Sequence, residues 1–293
     1  MNVFQYEFAI RALIAALVIG LTAPALGIYL VQRRMSLIGD GVGHVALTGV
    51  GVGLLLNQSP ILTAMLVAAA GAVAIELIRE RGRTSGDLAL AILFYGGIAG
   101  GVMLVGLSSN RSNAALMSYL FGSLNTTSPT DLVVIVGLGA VLLAAMLVLR
   151  PALFAVCQDE EYAKVSGLPV RALNLLLAVT TAVTVTIAMR TVGLLLISAM
   201  MVVPVATAQQ VTRGFRSTMA LAMGVGLLAA VAGVWLAGQV NTAPGATIVV
   251  LAIAAFLAVA LGAALRRTLH RRSLPATTRP TAELEPPDVV LER

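Results

Sequence analysis

The sequence predicts an all-α, polytopic bundle of transmembrane helices, with about nine spans inside a range of roughly eight to ten. Three observations carry that prediction. Hydrophobic residues make up 59% of the 293 positions and charged residues only 11%, with a mean hydropathy of +0.97. A soluble domain is about a quarter charged, so this excess has no place to bury itself except in lipid. Many uncharged stretches run for about 18 to 22 residues, the length a helix needs to cross a bilayer. Arg and Lys fall singly or in pairs between those stretches, which is how topology signals are arranged. A transmembrane barrel would alternate polar and apolar residues in short segments, and these segments are continuously apolar. The formal charge of +6 and pI near 10.2 form no single basic patch, so nucleic acid is excluded as a partner. One cysteine, Cys157, allows neither an intrachain disulfide nor a cysteine-rich metal site.

The apolar segments run 9–31, 42–56, 60–78, 88–107, 131–149, 172–189, 192–211, 217–238 and 246–265. The first continues past the small-residue stretch Ala23-Pro24-Ala25 and lacks a basic leader, so it reads as a span rather than a cleaved signal. The second is short, and its helix is expected to start near Ser36. Between the fourth and fifth, residues 113–124 contain Leu116, Tyr119, Leu120 and Phe121, too short a run to cross and suited to a re-entrant or interfacial helix. Ser128-Pro129-Thr130-Asp131 opens the fifth span with an acid placed to act at a helix N-terminus. Glu76 lies one turn from Arg79, its expected partner. Residues 150–171 are the longest internal connection of the basic side and read as a solvated loop or a short polar helix stopping at Gly167. The transmembrane bundle is expected over residues 1–270 and a disordered, proline-bearing tail over 271–293.

Alternate connections hold all the basic residues except Arg11, Arg111 and Arg190. The positive-inside rule then places those connections in the cytoplasm, the N-terminus outside and the C-terminus inside a plasma (inner) membrane. Glycine is frequent within the spans, at Gly39, Gly41, Gly43, Gly49, Gly96, Gly97, Gly100 and Gly101 among others. Small residues let helices approach closely in lipid.

Ionisable residues within a span are costly and point to function. Asp40 and His44 are the outstanding pair. Their i, i+4 spacing puts them on one helical face. Two ligands do not close a metal site, but two copies of the chain would supply two carboxylates and two imidazoles, a set that suits a first-row divalent ion. A hydrogen bond between Asp40 and His44 that only fastens helices fits the same residues.

At these residues the chain resembles the membrane permease subunits of bacterial ABC importers for zinc and manganese. The resemblance covers about Phe8 to Leu265 and rests on motifs in order: Arg34-Met35-Ser36 through Gly39-Asp40 and His44 to Gly49-Val50; Leu120-Phe121-Gly122-Ser123-Leu124; Asp159-Glu160 with Ala163 and Gly167; and Val192-Gly193-Leu194-Leu195-Leu196 with Pro204-Val205-Ala206-Thr207-Ala208. Many members have serine before the histidine and proline before the next glycine, where this chain has Gly43 and Thr48. That departure touches the surroundings of the pair and therefore the choice of metal. The resemblance implies a homodimeric permease and no enzyme: no covalent chemistry and no permanently bound cofactor, with zinc, or next manganese or iron, as the transported ion. It implies partners as well: cytoplasmic ATPase subunits below, an extracytoplasmic metal-binding protein outside and membrane lipid around. Asp40 and His44 would line the metal path, and Asp159, Glu160, Ala163 and Gly167 would form the segment coupled to the ATPase. The rival readings are a proton-driven secondary metal transporter that uses Asp40 and His44 as a relay, and a non-transporting membrane scaffold.

Overall fold

Twelve helices carry the described residues of the computed structural model, which are 7–80, 86–108, 113–122, 128–189, 192–240 and 242–273. No strand occurs among them. The helices are α1 (Glu7–Gln32), α2 (Ile38–Leu55), α3 (Pro60–Glu80), α4 (Gly86–Leu107), α5 (Asn113–Phe121), α6 (Pro129–Val148), α7 (Arg150–Gln158), α8 (Glu160–Val165), α9 (Val170–Ala188), α10 (Leu194–Gln209), α11 (Phe215–Val240) and α12 (Pro244–Ser273). Eight are long and apolar enough to cross a membrane: α1 to α4, α6, α9, α11 and α12. The ninth expected span is α10, at 16 residues. It reaches only about 24 Å at 1.5 Å per residue and is apolar but for Ser198, Thr207 and Gln209. The chain is a multi-pass membrane protein.

Buried position separates the spans into a core and a rim. Most of α1, α2 and α9 is enclosed by protein, whereas α4, α6 and α12 turn most of their surface outward. Apolar side chains such as Leu66, Ile92, Val133 and Leu228 point away from the bundle, as lipid-facing residues do. Small residues set the closest crossings. A Cβ on Gly20 would stand 2.9 Å from the Gly226 carbonyl oxygen, so α1 and α11 meet backbone to backbone.

Local sequence fixes the ends. Ser128 accepts from the Asp131 amide at 3.1 Å while Asp131 accepts from the Ser128 amide at 3.0 Å, a reciprocal cap on α6. After α1 the chain turns sharply. The Met35 amide bonds back to the Leu30 carbonyl and that of Arg34 to Val31, with Arg34 at φ 57°. This is a Schellman closure with arginine where glycine is usual. The second span accordingly starts at Ile38, two residues later than the sequence suggests. At the other end of the chain α12 runs through Ser273, into the segment expected to be tail. Residues 274–293, the rest of that tail, lie outside the described residues, as do Ser123 and Leu124 of the leucine-phenylalanine-glycine motif. The described part of that motif packs on another: a Cβ on Gly193 would lie 2.6 Å from the Leu120 carbonyl oxygen and the Gly122 amide nitrogen. Gly193 also sits at φ 95°, where a side chain is strained.

Candidate functional site

Asp40 and His44 lie in the first two turns of α2, and both look toward α4. The reason is the α2–α4 crossing. Gly97 comes so close to α2 that a Cβ there would lie 2.5 Å from the His44 carbonyl carbon and 2.7 Å from the Val45 nitrogen. Thr48 Oγ1 donates to the Gly97 carbonyl at 2.8 Å and pins the register. That approach lays the Phe94 ring edge-on to the His44 imidazole, centroids 4.4 Å apart at 77°. His44 is 5% exposed, and its buried Nδ1 has no hydrogen-bond partner among the described residues. Asp40 is half-buried and lines an open cleft of about 320 Å³ with Leu37, Leu90, Ala91, Phe94 and Tyr95. A carboxylate that opens on a cleft and a buried imidazole nitrogen without a partner among the described residues are groups able to take a ligand. No cluster of three or more His, Cys, Asp or Glu suited to a metal occurs among the described residues. Within one chain the described residues bring one carboxylate and one imidazole to this face.

The segment 150–171 holds two helices where the sequence suggests a loop or one helix. Leu153 and Val156 anchor amphipathic α7. Asp159 caps α8, accepting from the Tyr162 amide at 2.9 Å. The Leu168 amide then bonds to Ala163 and that of Gly167 to Lys164, both at 3.1 Å, with Gly167 at φ 80°. This closure ends α8 where the sequence places its stop. Ala163 is fully buried beneath α8.

Glu160 turns inward. Its Oε2 accepts from Arg33 Nη2 at 3.2 Å and stands 3.8 Å from Arg79 Nη2, while Lys164 Nζ lies 3.2 Å from Oε1. Arg79 clasps Glu76 at 2.6 and 3.0 Å, the pair expected from their spacing. Arg33 donates from its other arm to Asn174 of α9 at 2.7 Å. Glu76, Arg79, Glu160, Lys164 and Asn174 edge a polar cleft of about 240 Å³. Burial disfavours ionisation of Glu160, but the Lys164 hydrogen bond and the Arg79 and Arg33 charges outweigh it and hold the carboxyl below its usual range. Burial, with Arg79 nearby, lowers Arg33, against the pull of Glu76, Cys157 and Glu160. So Asp159, Glu160, Ala163 and Gly167 shape and seat α8. Its exposed apolar side chains are Tyr162 and Val165, 68% and 88% exposed, beside the charged Glu161 and Lys164.

Sequence reasoning missed Arg33, Phe94 and the outward pair. Arg33 looks like a topology charge, and its partners are 127 and 141 residues away. Only the exposed apolar residues of α8 had a visible signal: Tyr162 and Val165 interrupt a polar stretch three residues apart.

Residues 5–263 match the ABC 3 transport family. Among curated relatives, the manganese transport system membrane protein MntC of Halalkalibacterium halodurans is 31% identical over 87% of this chain and 87% of its own. The high-affinity zinc uptake system membrane protein ZnuB of Haemophilus influenzae is 31% identical over 84% of this chain and 94% of its own. A chain of the solved structure described as PsaBC from Streptococcus pneumoniae in complex with Fab superposes with a TM-score of 0.79 at 31% identity, over 88% of this chain and 92% of that one.

Proposed function

We propose, from the premise that the chain belongs to the ABC 3 transport family and is a metal-transport permease subunit, that it carries zinc into the cell as a homodimer driven by a separate ATPase. The observation that carries the proposal is the half-site on α2: Asp40 opening on a cleft, and His44 with a buried Nδ1 that has no partner among the described residues. Two copies facing each other across that cleft bring two carboxylates and two imidazoles to one ion. Four nitrogen and oxygen ligands suit tetrahedral zinc, whereas manganese favours more oxygens and a larger coordination number. Manganese and iron(II) follow zinc in that order as cargo.

The end of the bundle bearing Arg33, Arg79, Arg171, α7 and α8 is then cytoplasmic, by the distribution of basic residues. There α8 meets the ATPase through Tyr162 and Val165, which no described part of this chain covers. An extracytoplasmic metal-binding protein delivers the ion at the opposite end. Alternating access exposes the Asp40–His44 set first outward and then inward. A set with few ligands releases its ion readily, which a carrier needs.

Metal uptake into proteoliposomes holding the permease and its ATPase tests this. Zinc uptake should require ATP and exceed manganese uptake. Asp40→Asn and His44→Ala should assemble with the ATPase and lose uptake. Asp40→Asn keeps size and hydrogen bonding, so a contact that only fastens helices would survive at a cost of about 1 to 3 kcal/mol. Near-normal uptake by correctly assembled Asp40→Asn removes the pair from the path. Uptake without the ATPase favours a proton-driven carrier, and manganese uptake above zinc corrects the cargo.

A further inference from the structure

The charged cluster beside α8 includes one residue that no role has yet claimed. Arg33 stands on the connection between α1 and α2. Its side chain is 6% exposed, and its two arms reach Asn174 of α9 at 2.7 Å and Glu160 of α8 at 3.2 Å. A guanidinium held by two directional partners in a buried setting is a strut with fixed geometry, unlike a mobile surface ion pair. Glu160 itself is steadied by Arg79 and Lys164, so α8 cannot move without displacing Arg33 or breaking its bond.

The chain beyond Arg33 is equally stiff. Arg34 and Met35 close α1 with backbone bonds to Val31 and Leu30, at 3.1 and 2.9 Å. The Ile38 amide then bonds to Met35 and the Gly41 amide to Leu37, at 3.0 and 3.1 Å. Backbone bonds thus tie the turn after Arg33 both to the end of α1 and, through Met35 and Leu37, to the first turn of α2, which carries Asp40. The Asp40 side chain faces an open cleft, while the backbone beneath it is fixed to this elbow. A displacement of α8 thus has a short, rigid route to the carboxylate.

We infer that Arg33 is a positioning residue that couples α8 to Asp40, converting movement of the ATPase-facing helix into a shift of the first turn of α2. The inference rests on the permease reading above, and it assigns a residue to the link between the two ends of that mechanism. A purely structural clamp would predict a different defect. Losing a clamp lowers assembly, ATP hydrolysis and uptake together. Losing a strut leaves the complex assembled and hydrolysing, with metal movement no longer tied to it.

The test compares wild type, Arg33→Gln, Arg33→Lys and Asn174→Ala in purified complexes with the ATPase, measuring ATP hydrolysis and zinc uptake in the same proteoliposomes. Arg33→Gln should hydrolyse ATP while uptake per ATP falls about tenfold, the size of an ordinary coupling between sites. Arg33→Lys keeps the charge but only one arm and should recover part of the ratio, and Asn174→Ala should lie between. A wild-type ratio in Arg33→Gln overturns the inference alone. So does a parallel loss of hydrolysis and uptake, or failure of both Arg33→Gln and Asn174→Ala to assemble, since each makes Arg33 a structural clamp. Absence of ATP-dependent zinc or manganese uptake by wild type overturns the permease reading, and this inference with it.

Discussion

Replacing Gly97 by alanine adds one methyl group at the point where α4 crosses α2 beside His44. The added Cβ would sit 2.5 Å from the His44 carbonyl carbon and 2.7 Å from both the His44 oxygen and the Val45 nitrogen. These are helix backbone atoms and cannot swing aside. Ordinary contact begins near 3.4 Å, so the helices must part by about 0.9 Å. Overpacking of this kind costs about 1 to 3 kcal/mol. The same separation stretches the bond from Thr48 Oγ1 to the Gly97 carbonyl, now 2.8 Å, worth about 1 kcal/mol more. It also lifts Phe94 from the His44 ring. Gly106, on the same helix, has nothing within 4 Å of its would-be Cβ, and there alanine should be neutral or gain up to about 1 kcal/mol of helix propensity. The assay is retention of monodisperse protein after graded heating in detergent, followed by zinc uptake for variants that survive. Gly97→Ala should lose its folded form on the order of 5 °C earlier and transport poorly, while Gly106→Ala matches wild type or exceeds it. Equal melting of the two variants would refute the claimed backbone contact and the placement of His44 that depends on it.

Tyr162→Ala and Val165→Asp alter the two exposed apolar side chains of α8 and should weaken capture of the ATPase with no change in permease melting; undiminished capture would free this face of that role. Burial, opposed by Arg33, pushes the Cys157 thiol up to about 11, so its thiolate is scarce at neutral pH. A cysteine placed at Val165 in a Cys157→Ser background should therefore react with maleimide on the order of 100-fold faster than native Cys157, and similar rates would contradict the burial. The Glu160 carboxyl is held below its usual value of 4.5. Its contribution to seating α8 is then complete above that value and lost as pH falls below it. Protection of residues 159–167 from proteolysis should be flat from neutrality to about pH 5 and drop under more acid conditions, and Glu160→Gln should flatten the acid limb.

Hydropathy made the spans legible because each must satisfy its own backbone in lipid, so its length and composition are fixed locally. The Ser128–Asp131 cap and the stop at Gly167 were legible for the same reason, since donor, acceptor and permissive backbone lie within one turn. Asp40 and His44 stood out because a carboxylate four residues from an imidazole is conspicuous in a glycine-rich apolar stretch. What stayed hidden depends on tertiary closure. Glu160 looks like a solvated acid until Arg33, 127 residues earlier, is folded against it. The covering of His44 by Phe94 depends on how close α4 comes, which Gly97 decides and which neither residue announces. Helix α7 was masked because Leu149 joins it to α6 without a turn residue: Leu149 closes one helix and opens the next.

Four threonines of α9 donate their hydroxyl protons within their own helix: Thr180 and Thr181 to Leu177, Thr184 to Thr180 and Thr186 to Ala182, at 2.7 to 3.0 Å. A hydroxyl has one proton to give, so none of the four keeps a donor with which to fasten α9 to a neighbour. Along that length the four hydroxyls fasten α9 to none of the surrounding helices, and its side-chain ties to other helices gather at the basic end, where Asn174 accepts from Arg33 and Arg171 stands 3.2 Å from Glu80 of α3. The helix is thus hinged at one end and lubricated along the rest. Such an element can slide by a fraction of a turn with little enthalpic loss, as packed helices do in shear motions. A core that rests on small residues and self-satisfied hydroxyls is a bearing, and it separates the stiffness needed to pass a push along from the slack needed to move.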